Sequence, residues 1–255
     1  MTKIVVKIGT SIISSNDKID ENKIKNIASF IALLREKYEV IVVTSGAVIA
    51  GYQILPLERD IKGKQALASI GQPELIAIYK KYFAPLGIKI AQLLLTASSF
   101  DSRKQTKNAK TNVQTLLDNG VLPIINENDA TVIKELIFGD NDQLSASVCH
   151  FFDCEMLVIL SDIDGYYNKN PHEHSDAKMH KTVQNITDEE LDTAPSPNHK
   201  FATGGILTKL KAARFLLRNN RKMLLASGVN LSDAKSFLLN ENHKKGTLFT
   251  KVQFT

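Results

Sequence analysis

Short apolar runs that alternate with longer segments of helical spacing constrain this chain more than any other feature. The runs are KIVVKI (3–8), VIVVT (40–44), IKIAQLLL (88–95), VLPII (121–125), EMLVIL (155–160) and KMLLA (222–226), each the length of a strand. Between them, apolar residues recur every three or four positions, as at Ile24, Ile27, Ile31 and Leu34, or Ile206, Leu210, Ala213 and Leu217. That spacing predicts helices with one apolar face. Strands alternating with helices predict an α/β fold with a mostly parallel sheet. At 255 residues and 43% hydrophobic content, the chain can bury the core of one large domain or two closely joined lobes.

Ligands of open parallel sheets gather beyond the carboxyl ends of the strands, so the residues that follow each run matter. They are Lys7-Ile8-Gly9-Thr10-Ser11, Thr44-Ser45-Gly46-Ala47, Asn126-Glu127-Asn128-Asp129, Ser161-Asp162 and Ala226-Ser227-Gly228. Each has an ordinary explanation in helix caps and tight turns. Five such turns on one rim make a binding face. Lys7 is the misfit among them, because it interrupts the apolar run IVVKI. A buried ammonium is costly unless something negative meets it; a strand-end lysine snorkelling into water is the plain alternative.

Charge is unevenly placed. Residues 1–198 hold 21 Lys and Arg against 25 Asp and Glu, net −4, whereas residues 199–255 hold 11 against 2, net +9. A solvated face is one reading of the basic stretch, and a site for a compact polyanion such as a nucleotide phosphate chain is the other. Nucleic-acid binding is disfavoured, because the stretch lacks aromatic interleaving and any recognised nucleic-acid motif. Cys149 and Cys154 form neither a CxxC nor a zinc pattern, which points to a reducing cytoplasm. The longest apolar runs, such as IASFIALL, fall well short of a membrane span.

Three motifs carry candidate chemistry. In TGGILTKLKAA (203–213), two glycines precede an amphipathic helix, whose N-terminal N–H groups favour an anion that Lys209 could also reach. A glycine turn entering a surface helix is the alternative, and no Walker A pattern occurs. In INENDATV followed by FGDNDQLSASV, Asp140 and Gln143 have capping-box spacing, with Leu144, Val148 and Phe151 as the apolar stripe. Capping leaves Asn141, Asp142, Asn126, Asn128 and Asp129 unexplained. Such a group of amides and carboxylates suits an ammonium or a zwitterion better than a bare metal. In SDIDGYY, Ser161-Asp162 is a candidate ribose or base contact, and a plain loop with a tyrosine pair over the core is the alternative. His172, His174 and His180 lie in a polar excursion over 168–200 and read as solvated side chains, so no metal site is expected.

Taken in order, VVKIGTS, VIVVTSGAVIAG, LPIINENDA, FGDNDQLSA, SDIDGYY, TGGILTKLKAA and the terminal GTLF resemble the amino-acid kinase family, and within it the branch that phosphorylates L-glutamate. The match runs from residue 3 to residue 249, and INENDA followed by GDND is its most specific part. The resemblance implies a three-layer α/β/α sandwich around a central, mostly parallel sheet. It implies one domain over 1–255, with an amino-acid-binding lobe over about 1–150 and a nucleotide-binding lobe over about 151–255. The implied reaction moves the γ-phosphoryl group of ATP, with Mg²⁺, to the side-chain carboxylate of L-glutamate. The product, γ-glutamyl phosphate, begins proline biosynthesis.

By the same resemblance, Lys7 and Lys209 serve the phosphoryl group in transfer, and Asp142 organises them. Ser45, Asp129 and Asn141 hold glutamate, with Gly46 and Asn128 close by. Gly9, Thr10, Ser161, Asp162 and the run Thr203, Gly204, Gly205, Ile206, Leu207, Thr208 and Lys209 surround ATP. Leu207 stands where the family often has a small polar residue. The resemblance further implies a homo-oligomer, dimer or tetramer, and feedback by proline, in a short form lacking the C-terminal PUA domain that many such kinases carry. Alternative readings are a kinase of the same fold for aspartate, N-acetylglutamate, carbamate or a nucleoside monophosphate, and a non-catalytic nucleotide- and amino-acid-binding sensor.

Overall fold

Strand β1 (Thr2–Ile8) is buried along most of its length and occupies the middle of the sheet. The structure is a computed structural model that describes residues 1–131, 141–169, 171, 173–193 and 205–251. After β1 come a one-turn helix α1 (Thr10–Ile13), a small hairpin of β2 (Ser14–Ser15) and β3 (Lys18–Ile19), α2 (Glu21–Leu34) and β4 (Tyr38–Thr44). Next are α3 (Ala47–Ile54), α4 (Ile61–Phe83), β5 (Ile90–Leu95), α5 (Arg103–Asp118) and β6 (Leu122–Glu127). The second half contains α6 (Asn141–Phe151), β7 (Met156–Ser161), β8 (Thr182–Val183), α7 (Asp188–Thr193), α8 (Ile206–Arg218), β9 (Lys222–Ser227), α9 (Ser232–Asn240) and β10 (Thr247–Phe249).

The main sheet has the order β5-β6-β4-β1-β7-β9-β10-β8. The first six of these strands run parallel, and β10 is antiparallel to β9. Strand alternation sends Ile4, Val6 and Ile8 to one face, where α2, α4 and α9 cover them, and Val5 to the other, where α5, α6 and α8 pack. This is the expected α/β/α sandwich. Its two cores consist largely of fully buried Ile, Leu, Val and Phe, each contributing roughly 1.5–3 kcal/mol of burial.

Local chemistry explains where the helices begin and how close they come. Asp20 caps α2 by accepting from the Asn22 and Lys23 N–H groups, and Ser102 caps α5 through the Gln105 N–H. Helices α3 and α4 touch backbone to backbone at two glycines. A Cβ on Gly51 would lie 2.0 Å from the Leu67 carbonyl oxygen, and one on Gly71 would lie 1.9 Å from that of Ala47. Only glycine permits that crossing.

Register aligns the carboxyl ends of the strands. Ile8 pairs with both Thr44 and Leu160, Leu160 pairs with Ala226, and Val43 pairs with Ile125, which brings Asn126 level with Thr44. The five turns read from sequence therefore share one rim. Strand boundaries shift by one or two residues from the runs read in the sequence, and one shift bears on the site. Strand β6 runs on through Asn126 and Glu127, because their backbones continue the ladder with Leu94 and Leu95 of β5. These two residues are the end of a strand, and both are buried.

Candidate active site

Lys7 lies on the sheet face that α6 and α8 cover, and both helices deliver a polar residue to it. Its Nζ sits 2.7 Å from Asp142 Oδ1, and Lys209 Nζ sits 3.2 Å from Asp142 Oδ2. Their side chains are 9%, 1% and 4% exposed for Lys7, Asp142 and Lys209, so the trio is a buried ion cluster with a net charge of +1. Thr208 Oγ1 donates toward the same carboxylate oxygen, 2.8 Å away, and toward the Gly205 carbonyl at 2.9 Å. Burial alone would push the Asp142 carboxyl up. Attraction from Lys7 and Lys209, with hydrogen bonds from Lys7 and Thr208, overcomes that and holds it well below the usual carboxylate range. Asp142 is an anion at any working pH.

Two backbone features open onto this cluster. Gly9 follows β1 in ordinary extended conformation, and a Cβ placed there would come within 3.7 Å of Lys7 Nζ. Its lack of a side chain keeps the space over the ammonium clear. Helix α8 starts at Gly205, which provides no side-chain cap, so the first-turn N–H groups of Ile206, Leu207 and Thr208 add the positive end of a helix dipole. Leu207, the departure noted in the glycine loop, packs against the apolar core beneath α8. Thr203 and Gly204 lie outside the described residues, as do Asp140 of the expected capping box and His172. Thr10 opens α1 directly after Gly9, and its carbonyl accepts from Ser14.

Ser161 and Asp162 stand beside Ser227-Gly228 at the ends of β7 and β9. Ser161 Oγ donates to Asp162 Oδ1 at 2.9 Å, and the Gly228 N–H donates to the Ser161 carbonyl at 2.8 Å. Tyr166 packs against the core, as the tyrosine-pair reading expects, and His180 stacks on it with ring centroids 5.0 Å apart.

On the other side of Lys7, a chain of side-chain amides spans the rim. Asn141 Nδ2 reaches the Thr44 carbonyl and Ser45 Oγ, both at 2.7 Å, and Asn126 Oδ1 at 3.0 Å. Asn126 Nδ2 donates to Gln72 Oε1 at 2.7 Å. Gly46 follows Ser45 with φ +108°, a left-handed conformation that begins α3 and that a Cβ would strain. Asn128 and Asp129 follow β6 and line a cleft of about 380 Å³ together with Gln72, Ser69, Gln92 and Glu127. Ser45 and Asn141 thus touch each other, and Asn128 and Asp129 share a cleft wall with Gln72, the partner of Asn126. Sequence reasoning did not single out Gln72. The one signal it carries is an amide between Gly71 and Pro73 inside a helix.

Together these groups can neutralise a phosphate chain over the Lys7–Lys209 pair and hold a small polar molecule over the amides. The model of the amino acid kinase family matches residues 2–227. A glutamate 5-kinase of Wolinella succinogenes is 53% identical over 257 residues, covering 98% of each chain. A glutamate 5-kinase of Leishmania donovani is 50% identical, covering 97% of this chain and 94% of that protein. Among solved structures, the UMP kinase of Ureaplasma parvum superposes with a TM-score of 0.66 at 16% identity, covering 98% of this chain and 99% of that one, a likeness of fold.

Proposed function

The chain belongs to the amino acid kinase family, and on that premise we infer that it catalyses ATP-dependent phosphorylation of the L-glutamate side-chain carboxylate. The observation that carries this reading is the buried Lys7–Asp142–Lys209 cluster at the strand rim, flanked by the Ser45–Asn141 pair. In the reaction a carboxylate oxygen attacks the γ-phosphorus, the bond from that phosphorus to the β-γ bridging oxygen breaks, and ADP leaves. The nucleophile is already anionic, so no general base is needed. Positioning and charge neutralisation are what remain for the protein to provide.

We assign Lys7 and Lys209 to the equatorial oxygens of the phosphoryl group, where charge is greatest as it passes between donor and acceptor. Asp142 is the positioning residue that holds both ammonium groups. Gly9, Thr10 and the start of α8 take the phosphates, and Ser161-Asp162 the nucleoside. Ser45, Asn141, Asn128 and Asp129, with Gly46, take glutamate. The amino-acid site then belongs to residues 1–150 and most of the nucleotide site to residues 151–255, which include the basic stretch 199–255; Lys7, Gly9 and Thr10 reach the phosphates from the first lobe, and Asp142 joins the two through its ion pairs.

Among the described residues, no group of three or more His, Cys, Asp or Glu is gathered to hold a metal. Two ammoniums and helix N–H groups do not ligate a cation; they fit the phosphates of a nucleotide, which would themselves carry the magnesium. Bound there, Mg²⁺ would supply further neutralisation of the phosphate charge that Lys7 and Lys209 face.

The reading includes a homo-oligomer, a cytoplasmic location and inhibition by proline. Among the described residues no helix is long and apolar enough to cross a membrane. The test is Mg·ATP turnover with single acceptors, followed as ADP release and as acyl phosphate trapped by hydroxylamine. Turnover and hydroxamate with L-glutamate are expected, and falling turnover on adding proline supports the regulatory part. Activity with N-acetylglutamate, aspartate or UMP but not with L-glutamate would overturn the assignment.

A further inference from the structure

We propose that Gln72 is a positioning residue for the amino-acid substrate, acting through Asn126: it supplies the acceptor that the buried Asn126 amide needs to stay in place against Asn141 and Ser45. The proposal rests on the glutamate reading above. Its basis is that the amide chain can be oriented in only one way. The Glu127 backbone N–H can only donate, and it lies 2.9 Å from Asn126 Oδ1. At the far end, the Thr44 carbonyl can only accept, and it lies 2.7 Å from Asn141 Nδ2. A one-way group at each end therefore fixes both amides.

The rest of the polarity follows. With its oxygen committed to Glu127 and Asn141, Asn126 must donate from Nδ2, and the acceptor it finds is Gln72 Oε1 at 2.7 Å. Asn126 is 2% exposed, so without Gln72 its amide hydrogens lose that partner inside the protein. Turning the amide over would set Nδ2 against the Glu127 N–H, donor against donor. Asn141, in turn, spends its two amide hydrogens on Thr44, Ser45 and Asn126, one of them shared between two acceptors. What it retains is its oxygen, an acceptor suited to an ammonium. Ser45 accepts from Asn141 and retains its hydroxyl proton, a donor suited to a carboxylate. An α-amino acid presents this pair of charges; Glu127 and Thr44 keep the two partners from exchanging roles, and Gln72 holds Asn126 in place between them.

Helix α4 supports the neighbouring strand in the same way. Tyr79, seven residues beyond Gln72 and so on the same face, lies 2.8 Å from Thr44 Oγ1, whose own proton goes to the Ser45 carbonyl at 3.0 Å. Thus α4 braces both β4 and β6 where they meet the substrate.

Full-length protein carrying Gln72→Met, which lacks a strong acceptor, is compared with Gln72→Glu, which keeps one, in Mg·ATP assays across L-glutamate concentration. Gln72→Met is expected to raise the glutamate KM about 10- to 100-fold, leaving the ATP KM within about twofold; Gln72→Glu is expected to stay within about threefold of wild type for both. If Gln72→Met does not fold, Gln72→Ala takes its place with the same expectation. A general loss of stability would not split the two KM values or be avoided in Gln72→Glu. Wild-type turnover of L-glutamate with an unmoved KM in Gln72→Met, or a Gln72→Glu as impaired as Gln72→Met, overturns this proposal alone. A wild-type chain that phosphorylates only a different acceptor overturns the glutamate reading and this proposal with it.

Discussion

Replacing Asp142 by asparagine removes one negative charge from between two ammonium groups and changes almost nothing in shape. At 2.7 and 3.2 Å, each contact is worth roughly 5–6 kcal/mol of gross attraction at an effective dielectric of about 20. The cost of burying the charges and the repulsion between the lysines offset much of it. Removing one partner from a buried pair nevertheless costs about 3–5 kcal/mol, because the other charge stays behind. In a chain of this size that lowers Tm by about 6–20 °C. Turnover should fall by about 10²–10³, since the lysines lose the group that aims them. Thermal melts with and without Mg·ATP, alongside ADP release, measure both effects. The nucleotide phosphates replace part of the missing charge, so Mg·ATP should raise Tm more in Asp142→Asn than in wild type. A Tm within about 2 °C of wild type together with turnover within about threefold would refute the reasoning. A sharper version replaces all three charges at once, as Lys7→Met, Asp142→Leu and Lys209→Met. Thr208 keeps the Gly205 carbonyl as an acceptor, so this variant should melt no lower than Asp142→Asn while losing turnover.

Lys7→Ala and Lys209→Ala should each lower turnover by about 10²–10³, with the glutamate KM within about threefold, because both charges act on the transferring group; steady-state kinetics with glutamate varied at saturating ATP decides. Gly71→Ala should cost about 3–5 kcal/mol, since its Cβ would fall 1.9 Å from a backbone oxygen and push α4 off α3; a urea midpoint equal to wild type would contradict the packing. Asp142 has its folded pKa held below the ordinary carboxylate value. Its contribution is therefore present above about pH 5 and is lost as pH falls further, where the unfolded chain binds the proton first. Stability curves of wild type and Asp142→Asn should converge on acidification from pH 5 to 3 and run parallel between pH 6 and 8.

How much of this was legible in the sequence differs from residue to residue. Lys7 was visible because charge inside an apolar run is a local anomaly, and Asp142 because capping explained its neighbours and left it over. Leu207 read as a departure in a phosphate loop, yet its side chain, partly buried, packs against the core. Asn126 was visible as a polar residue after a strand, but that it ends the strand depends on pairing with β5, a partner some thirty residues away. Gln72 offered only an amide in a helix. Its importance comes from the Gly51 and Gly71 contacts that press α4 onto α3 and bring it over the ends of β4 and β6.

The sequence by itself determined the period of each element, the continuous apolar runs that suit strands covered on both faces, and the small polar residues at the strand ends. Those properties depend on neighbours within a few positions, where sterics and hydrogen bonding act. The pairing of Lys7 with Asp142 and Lys209, 135 and 202 positions away, was decided by the tertiary structure alone. So was the direction of the amide chain from Asn141 to Gln72, because it needs a fixed donor at Glu127 and a fixed acceptor at Thr44. A charge or an amide takes its role from what is opposite it, and the parallel sheet puts those groups opposite one another.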